Sequence, residues 1–115
     1  MGGRSLVSYG ILFDVNSDKL KIESFPTIKE IANVLKENPT VKIKIVGHTD
    51  SDGADDLNLS LSKRRSESVK NELVKTFGIE ELRIESEGKG EMIPVAPNDS
   101  AVNKAKNRRV EFIKM

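Results

Sequence analysis

The sequence predicts an α/β (α+β) two-layer sandwich: a mixed four-stranded sheet with two long helices on one face, in the order strand, helix, strand, helix, strand, strand. Three observations carry this. Val41, Ile43 and Ile45 alternate with Lys42 and Lys44, the period-two pattern of a strand with one buried face. Two longer stretches, around residues 24–38 and 58–77, repeat apolar residues at helical spacing. Strand and helix patterns alternate through the first two thirds of the chain, which favours helices layered on a sheet.

The elements read as follows. Ser8 to Val15 is a short apolar run with Tyr9, Ile11 and Phe13 on one parity and Asp14 at its carboxyl end, taken as the first strand. Asn16-Ser17-Asp18-Lys19 is turn chemistry. A helix follows from about Ser24 to Asn38, with Ile28, Ile31, Ala32 and Leu35 on one stripe and Pro26 in the first turn, where its missing donor costs nothing. Thr27 with Glu30 offers a capping box as an alternative start, and Pro39 ends the helix by pushing Asn38 out of the helical region.

The central strand covers 41–46 and stops at Gly47. After an acidic loop a second helix begins near Asn58 and ends near Phe77, with Gly78 as its left-handed terminator. Leu57, Leu61, Val69, Leu73 and Phe77 define its expected apolar stripe, and Arg65 lies on the same stripe. Arg83 to Glu87 reads as the third strand, broken by Gly88-Lys89-Gly90. Residues 91–106 read as a loop with one helical turn near Ser100 to Lys104, and Arg108 to Lys114 as the last strand, with Val110 and Phe112 inward and Arg109, Glu111 and Ile113 opposite.

At 115 residues the chain is one domain. Residues 1–7 read as a cloning remnant or linker and 8–115 as the domain itself. Nineteen basic and eighteen acidic side chains leave a net charge of +1, so no bulk field points to nucleic acid or an anionic membrane. The absence of cysteine excludes disulfides, zinc ribbons and thiol catalysis. No stretch approaches the roughly 20 apolar residues of a membrane span, and no signal peptide opens the chain; any membrane attachment is expected through an upstream segment.

An arginine on an apolar helix face needs a route to water or a fixed anionic partner. The nearest carboxylate in the expected fold is Asp50, just past the central strand. Packing the second helix on that strand would bring the two charges to one rim of the sheet, together with Asp14 and Asn58, as a receptor for a zwitterion. The alternative from spacing alone is a turn aspartate and an arginine whose head reaches water or an internal ion pair; the residues leave both open.

The sequence resembles the OmpA C-terminal-like peptidoglycan-binding domain, also found in peptidoglycan-associated lipoproteins and flagellar stator anchors. The resemblance spans about residues 8–114. It rests on Phe13-Asp14 with Ser17 and Leu20; Gly47-His48-Thr49-Asp50 with Gly53; Asn58, Leu61-Ser62, Arg65 and Val69; Gly78-Ile79 with Arg83; Gly90-Glu91, Pro94 and Asn98; and Asn107-Arg108-Arg109-Val110-Glu111.

The resemblance implies non-catalytic, non-covalent binding of peptidoglycan and a periplasmic place at the outer membrane or wall. It implies that Asp50 and Arg65 hold the two charged ends of the diaminopimelate side chain in the stem peptide. Asn58, Asp14 and Thr49 complete the expected ligand-binding set. No cofactor, metal or catalytic residue is expected. The chain departs from the family in having Ser66 where alanine is usual after the binding arginine, and in a loop enriched in Asp52, Asp55 and Asp56.

That acidic loop raises a calcium-binding alternative, but Gly53 stands fourth from Asp50 where an EF-hand loop places glycine sixth, and no glutamate stands twelfth. A wall hydrolase using Asp50 and His48 is the second alternative; it lacks a nucleophile and a metal triad, so His48 is expected to fix the loop by a local hydrogen bond.

Overall fold

The computed structural model describes residues 5–8, 10–14, 17–51, 53–91 and 97–115. Along them run β1 (Ser5–Ser8), α1 (Phe25–Glu37), β2 (Ile43–His48), α2 (Asp55–Lys75), β3 (Ile84–Gly90), α3 (Ala101–Asn107) and β4 (Arg109–Lys114). The strands form one mixed sheet in the order β1-β4-β2-β3. β2 and β3 are parallel, and β4 runs antiparallel to both β1 and β2. The predicted class and strand number hold, and the apolar core lies between one sheet face and the two long helices. Ile43, Ile45, Ile84, Val110 and Phe112 meet Ile28, Ala32, Leu35, Val69 and Leu73 there.

The first strand is not where the apolar run suggested. β1 pairs Ser5 with Ile113 and Ser8 with Val110, so the sheet begins inside the segment expected to precede the domain. The run from Ser8 to Val15 does other work: Ile11 is buried in the core, and Phe13 makes a single antiparallel bridge to Leu20. Tyr9, Val15 and Asn16 lie outside the described residues. Ser24 ties this fold-back down by receiving the amide of Leu12 (2.7 Å) and donating to its carbonyl (2.8 Å).

Ser24 therefore makes no side-chain cap, and α1 starts at Phe25 with Pro26 in its first turn rather than at a Thr27–Glu30 box. Its far end is capped from a distance. The guanidinium of Arg83 donates to Leu35 O (2.6 Å), Asn38 O (2.9 Å) and Val41 O (3.1 Å), placing a cation where the helix leaves unsatisfied carbonyls and the negative end of its dipole.

The stripe expected for α2 is correct only in its second half. Val69 and Leu73 are fully buried, but Leu57 is 66% exposed, and the buried positions of the first half are Asn58, Ser62 and Ser66. The reason is the surface that α2 lies on. A Cβ on Gly47 would stand 2.4 Å from Ser62 O, and one on Gly88 would stand 2.3 Å from Lys63 N. Helix backbone meets strand backbone here, so small side chains fill the seam and leucines turn outward. The helix also opens earlier than expected, with Asp55 and Asp56 in a first turn that favours negative charge. It closes at the left-handed Gly78 (φ 72°), beyond which the Ile79 amide bonds Leu73 O at 3.0 Å.

Gly88 and Gly90 do not break β3. Gly88 pairs with Gly47 and Gly90 with His48, with an irregularity in the ladder between Gly47 and His48. α3 is longer than the single turn expected and is capped by Ser100, whose side chain accepts the Asn103 amide. β4 has the predicted inward parity.

Candidate binding site at the carboxyl end of the central strand

β2 lies between β4 and β3 and ends at His48, so Thr49 and Asp50 emerge over the rim beside the first turn of α2. The path is pinned beyond the ladder. The Thr49 amide bonds Gly90 O at 2.8 Å, and its hydroxyl bonds Asp50 O at 2.9 Å. Asn58 donates to that same Asp50 carbonyl (3.4 Å) and to Glu91 Oε1 (3.3 Å). One residue on, the Ser51 amide meets Asn98 Oδ1 (3.3 Å), which also accepts from Asn107 (2.8 Å). The result is a buried Asp50 whose backbone is held by β2, α2 and the segment before α3.

Its carboxylate forms an ion pair with Arg108, which lies between α3 and β4. Arg65 was expected to be the facing charge; the structure joins it to main-chain oxygens instead. Its Nε donates to Ser17 O (2.8 Å) and one terminal nitrogen to Asp14 O (3.3 Å), while the guanidinium stacks over the Phe13 ring at 4.9 Å. These contacts orient the guanidinium, and the residue is half-buried. Burial, then the neighbouring Arg108 and Arg64 guanidiniums, push Arg65 below arginine's usual range, with Asp18 and Asp50 acting in the opposite direction.

Arg65, Arg108 and Asp50 thus share one electrostatic neighbourhood, and no direct Asp50–Arg65 ion pair forms. Arg65 stays cationic at any working pH.

Of the residues expected at the site, the structure gathers Asp50, Thr49 and Asn58 through shared hydrogen bonds, and brings Asp14 to Arg65 through its carbonyl. On the far side of Asn58 the rim is acidic: a hydrogen bond with Asp55, then burial, raises the Glu91 pKa. Asp52 lies outside the described residues. His48 was expected to bond locally and fix the loop; its ring instead bonds Glu111 on the neighbouring strand β4 at 2.6 Å. Arg108 is the residue that spacing missed. Its only sequence signal is the block Asn107-Arg108-Arg109-Val110-Glu111.

A family model described as "OmpA family" matches residues 12–108. Among curated relatives, outer membrane porin F of Pseudomonas aeruginosa is 41% identical over 91% of this chain, which spans 30% of that protein's length. Among solved structures, the cell wall anchor of the T6SS from Pseudomonas aeruginosa is 30% identical with a TM-score of 0.85, over 99% of this chain and 82% of that one. The peptidoglycan-associated lipoprotein from Burkholderia pseudomallei is 28% identical with a TM-score of 0.83, over 97% and 90%.

Proposed function

The chain belongs to the OmpA family, and from that premise we propose that it is a non-catalytic module that holds peptidoglycan through the zwitterionic end of diaminopimelate in the stem peptide. It thereby tethers an envelope protein to the wall from the periplasmic side of the outer membrane. The family match and the similarity to a cell wall anchor and a peptidoglycan-associated lipoprotein support wall binding. The observation that supports this ligand is the arrangement of charge: a buried carboxylate and an oriented guanidinium lie close enough to influence each other without being ion-paired to each other.

Diaminopimelate ends in a carbon bearing an ammonium and a carboxylate. Asp50 accepts from the first and the Arg65 fork donates to the second, a task lysine's point charge performs poorly. Asn58 and Thr49 keep Asp50 in place from behind, and Asp14 does the same for Arg65 through its carbonyl. The ligand ammonium takes the position against Asp50 that the Arg108 guanidinium holds.

Lysine at the same stem position lacks the terminal carboxylate and leaves Arg65 without a partner. The expected discrimination is roughly 2–5 kcal/mol, or about 30-fold and upward. The test is calorimetry with diaminopimelate and lysine stem peptides, together with pelleting on purified sacculi. Arg65→Leu and Asp50→Ala are expected to lose retention while staying folded. Equal affinity for the two peptides, or variants that pellet like the parent, would remove this reading; soluble fragments released from sacculi would indicate a hydrolase instead.

A further inference from the structure

His48 is the single histidine of the chain, and its side chain is 2% exposed. On the sheet face away from the helices, its Nε2 lies 2.6 Å from Glu111 Oε1, and an Arg109 terminal nitrogen stands 3.7 Å from that same oxygen. The other ring nitrogen, Nδ1, is buried with no hydrogen-bond partner among the described residues. A neutral ring with its proton on Nε2 suits this setting: it donates to the Glu111 carboxylate and leaves Nδ1 as a lone pair. A second proton would create an N–H with no acceptor in reach among the described residues and a cation facing Arg109 from β4 and Lys89 from β3. Burial first, then Arg109, hold the His48 pKa below its usual value, while Glu111 and its hydrogen bond act the other way.

This pair adjoins the candidate site along both strands. His48 is the ladder partner of Arg109. Two residues beyond His48 the chain reaches Asp50, one residue before Arg109 it reaches Arg108, and those two side chains close on each other as an ion pair. The His48–Glu111 bond is a diagonal cross-strand contact that fixes how the ends of β2 and β4 meet.

We propose that neutral His48 is a positioning residue that holds the ends of β2 and β4 together and so keeps Asp50 in binding register, and that protonating its ring releases the ligand, making retention on the wall sensitive to acid. The inference rests on the zwitterion reading above. The ligand's ammonium and carboxylate and both arginines keep their charges through the range in which this histidine titrates, so the pH response has an assignable origin. Glu91, whose charge does not act on the His48 ring, is common to the parent and a histidine variant, and a ratio between the two removes its contribution.

The experiment measures the affinity of a diaminopimelate stem peptide at pH 7.5 and pH 5.0, with circular dichroism confirming that the protein is folded at both. The parent is expected to lose at least about threefold more affinity over this interval than His48→Gln, whose amide donates to Glu111 without ionising; a single proton allows up to ~10-fold per pH unit. A companion titration follows the ring by NMR in the parent alone. If ligand binding and the neutral ring are linked, saturating peptide must lower the ring's apparent pKa, by reciprocity.

Equal pH ratios in parent and His48→Gln, or a ring pKa unmoved by saturating peptide, would overturn the proposal. If the parent binds at pH 7.5 with no pH response, this inference alone falls. If it fails to bind at pH 7.5, the ligand reading falls and takes this inference with it.

Discussion

Asp50 and Arg108 are ion-paired across the ends of β2 and β4, while Arg65, the charge that spacing had matched to Asp50, is held by the carbonyls of Ser17 and Asp14. The carboxylate is buried but its partner is 48% exposed, so the pair is reachable by a competing cation. Water around the guanidinium weakens the attraction and makes exchange for a ligand ammonium inexpensive.

Binding and stability should separate at this position. Asp50→Ala is expected to cost about 1 kcal/mol of folding stability or less and yet to abolish retention on sacculi. Urea denaturation beside a pelleting assay reads both; a stability loss above ~3 kcal/mol would make the pair part of the scaffold.

The seam between α2 and the sheet should tolerate no methyl group. Gly88→Ala places a Cβ 2.3 Å from Lys63 N, and Gly47→Ala one 2.4 Å from Ser62 O. In both cases the obstacle is backbone and cannot rotate away. Each is expected to destabilise by about 3 kcal/mol, seen as a lower urea midpoint.

Two leucines on the same helix should respond oppositely to truncation. Leu73 is fully buried and Leu57 largely exposed. Leu73→Ala is expected to cost about 2–5 kcal/mol, and Leu57→Ala under ~0.5 kcal/mol. Equal losses would return Leu57 to the core.

The His48 pKa also sets a stability trend. The unfolded ring takes up a proton as pH falls through about 6.5, whereas burial keeps the folded ring neutral to lower pH. Over that window the unfolded state binds more protons, so stability declines with falling pH from about 6.5 until the folded ring is protonated too. Nothing is lost from this source above that window. Urea midpoints at pH 8.0, 6.5 and 5.5 should fall for the parent and fall less for His48→Gln.

How much of this was legible depended on the kind of signal. α1 was readable because Ile28, Ala32 and Leu35 carry the periodicity that is buried. The site's neighbourhood was readable because Asp50 and Asn58 flank a strand end and a helix start. β1 was not: it is four residues long, and the denser apolar run beside it supplies Ile11 to the core from a non-strand segment. The first half of α2 was misjudged because periodicity looks for apolar residues, whereas a face resting on glycines buries Ser62 and Ser66. Arg108 escaped because a contact made 58 residues away in sequence leaves no local pattern.

The direction of β1 has a mechanical meaning for a tether. Ser5 lies level with Ile113 and Lys44, at the opposite end of the sheet from His48. Tension between Ser5 and a ligand bound at Asp50 as proposed would therefore run lengthwise along the strands. Ladder hydrogen bonds lie across that axis, so the load shears several at once instead of peeling them singly. Resistance to such a pull is governed by how fast the sheet yields rather than by its equilibrium stability.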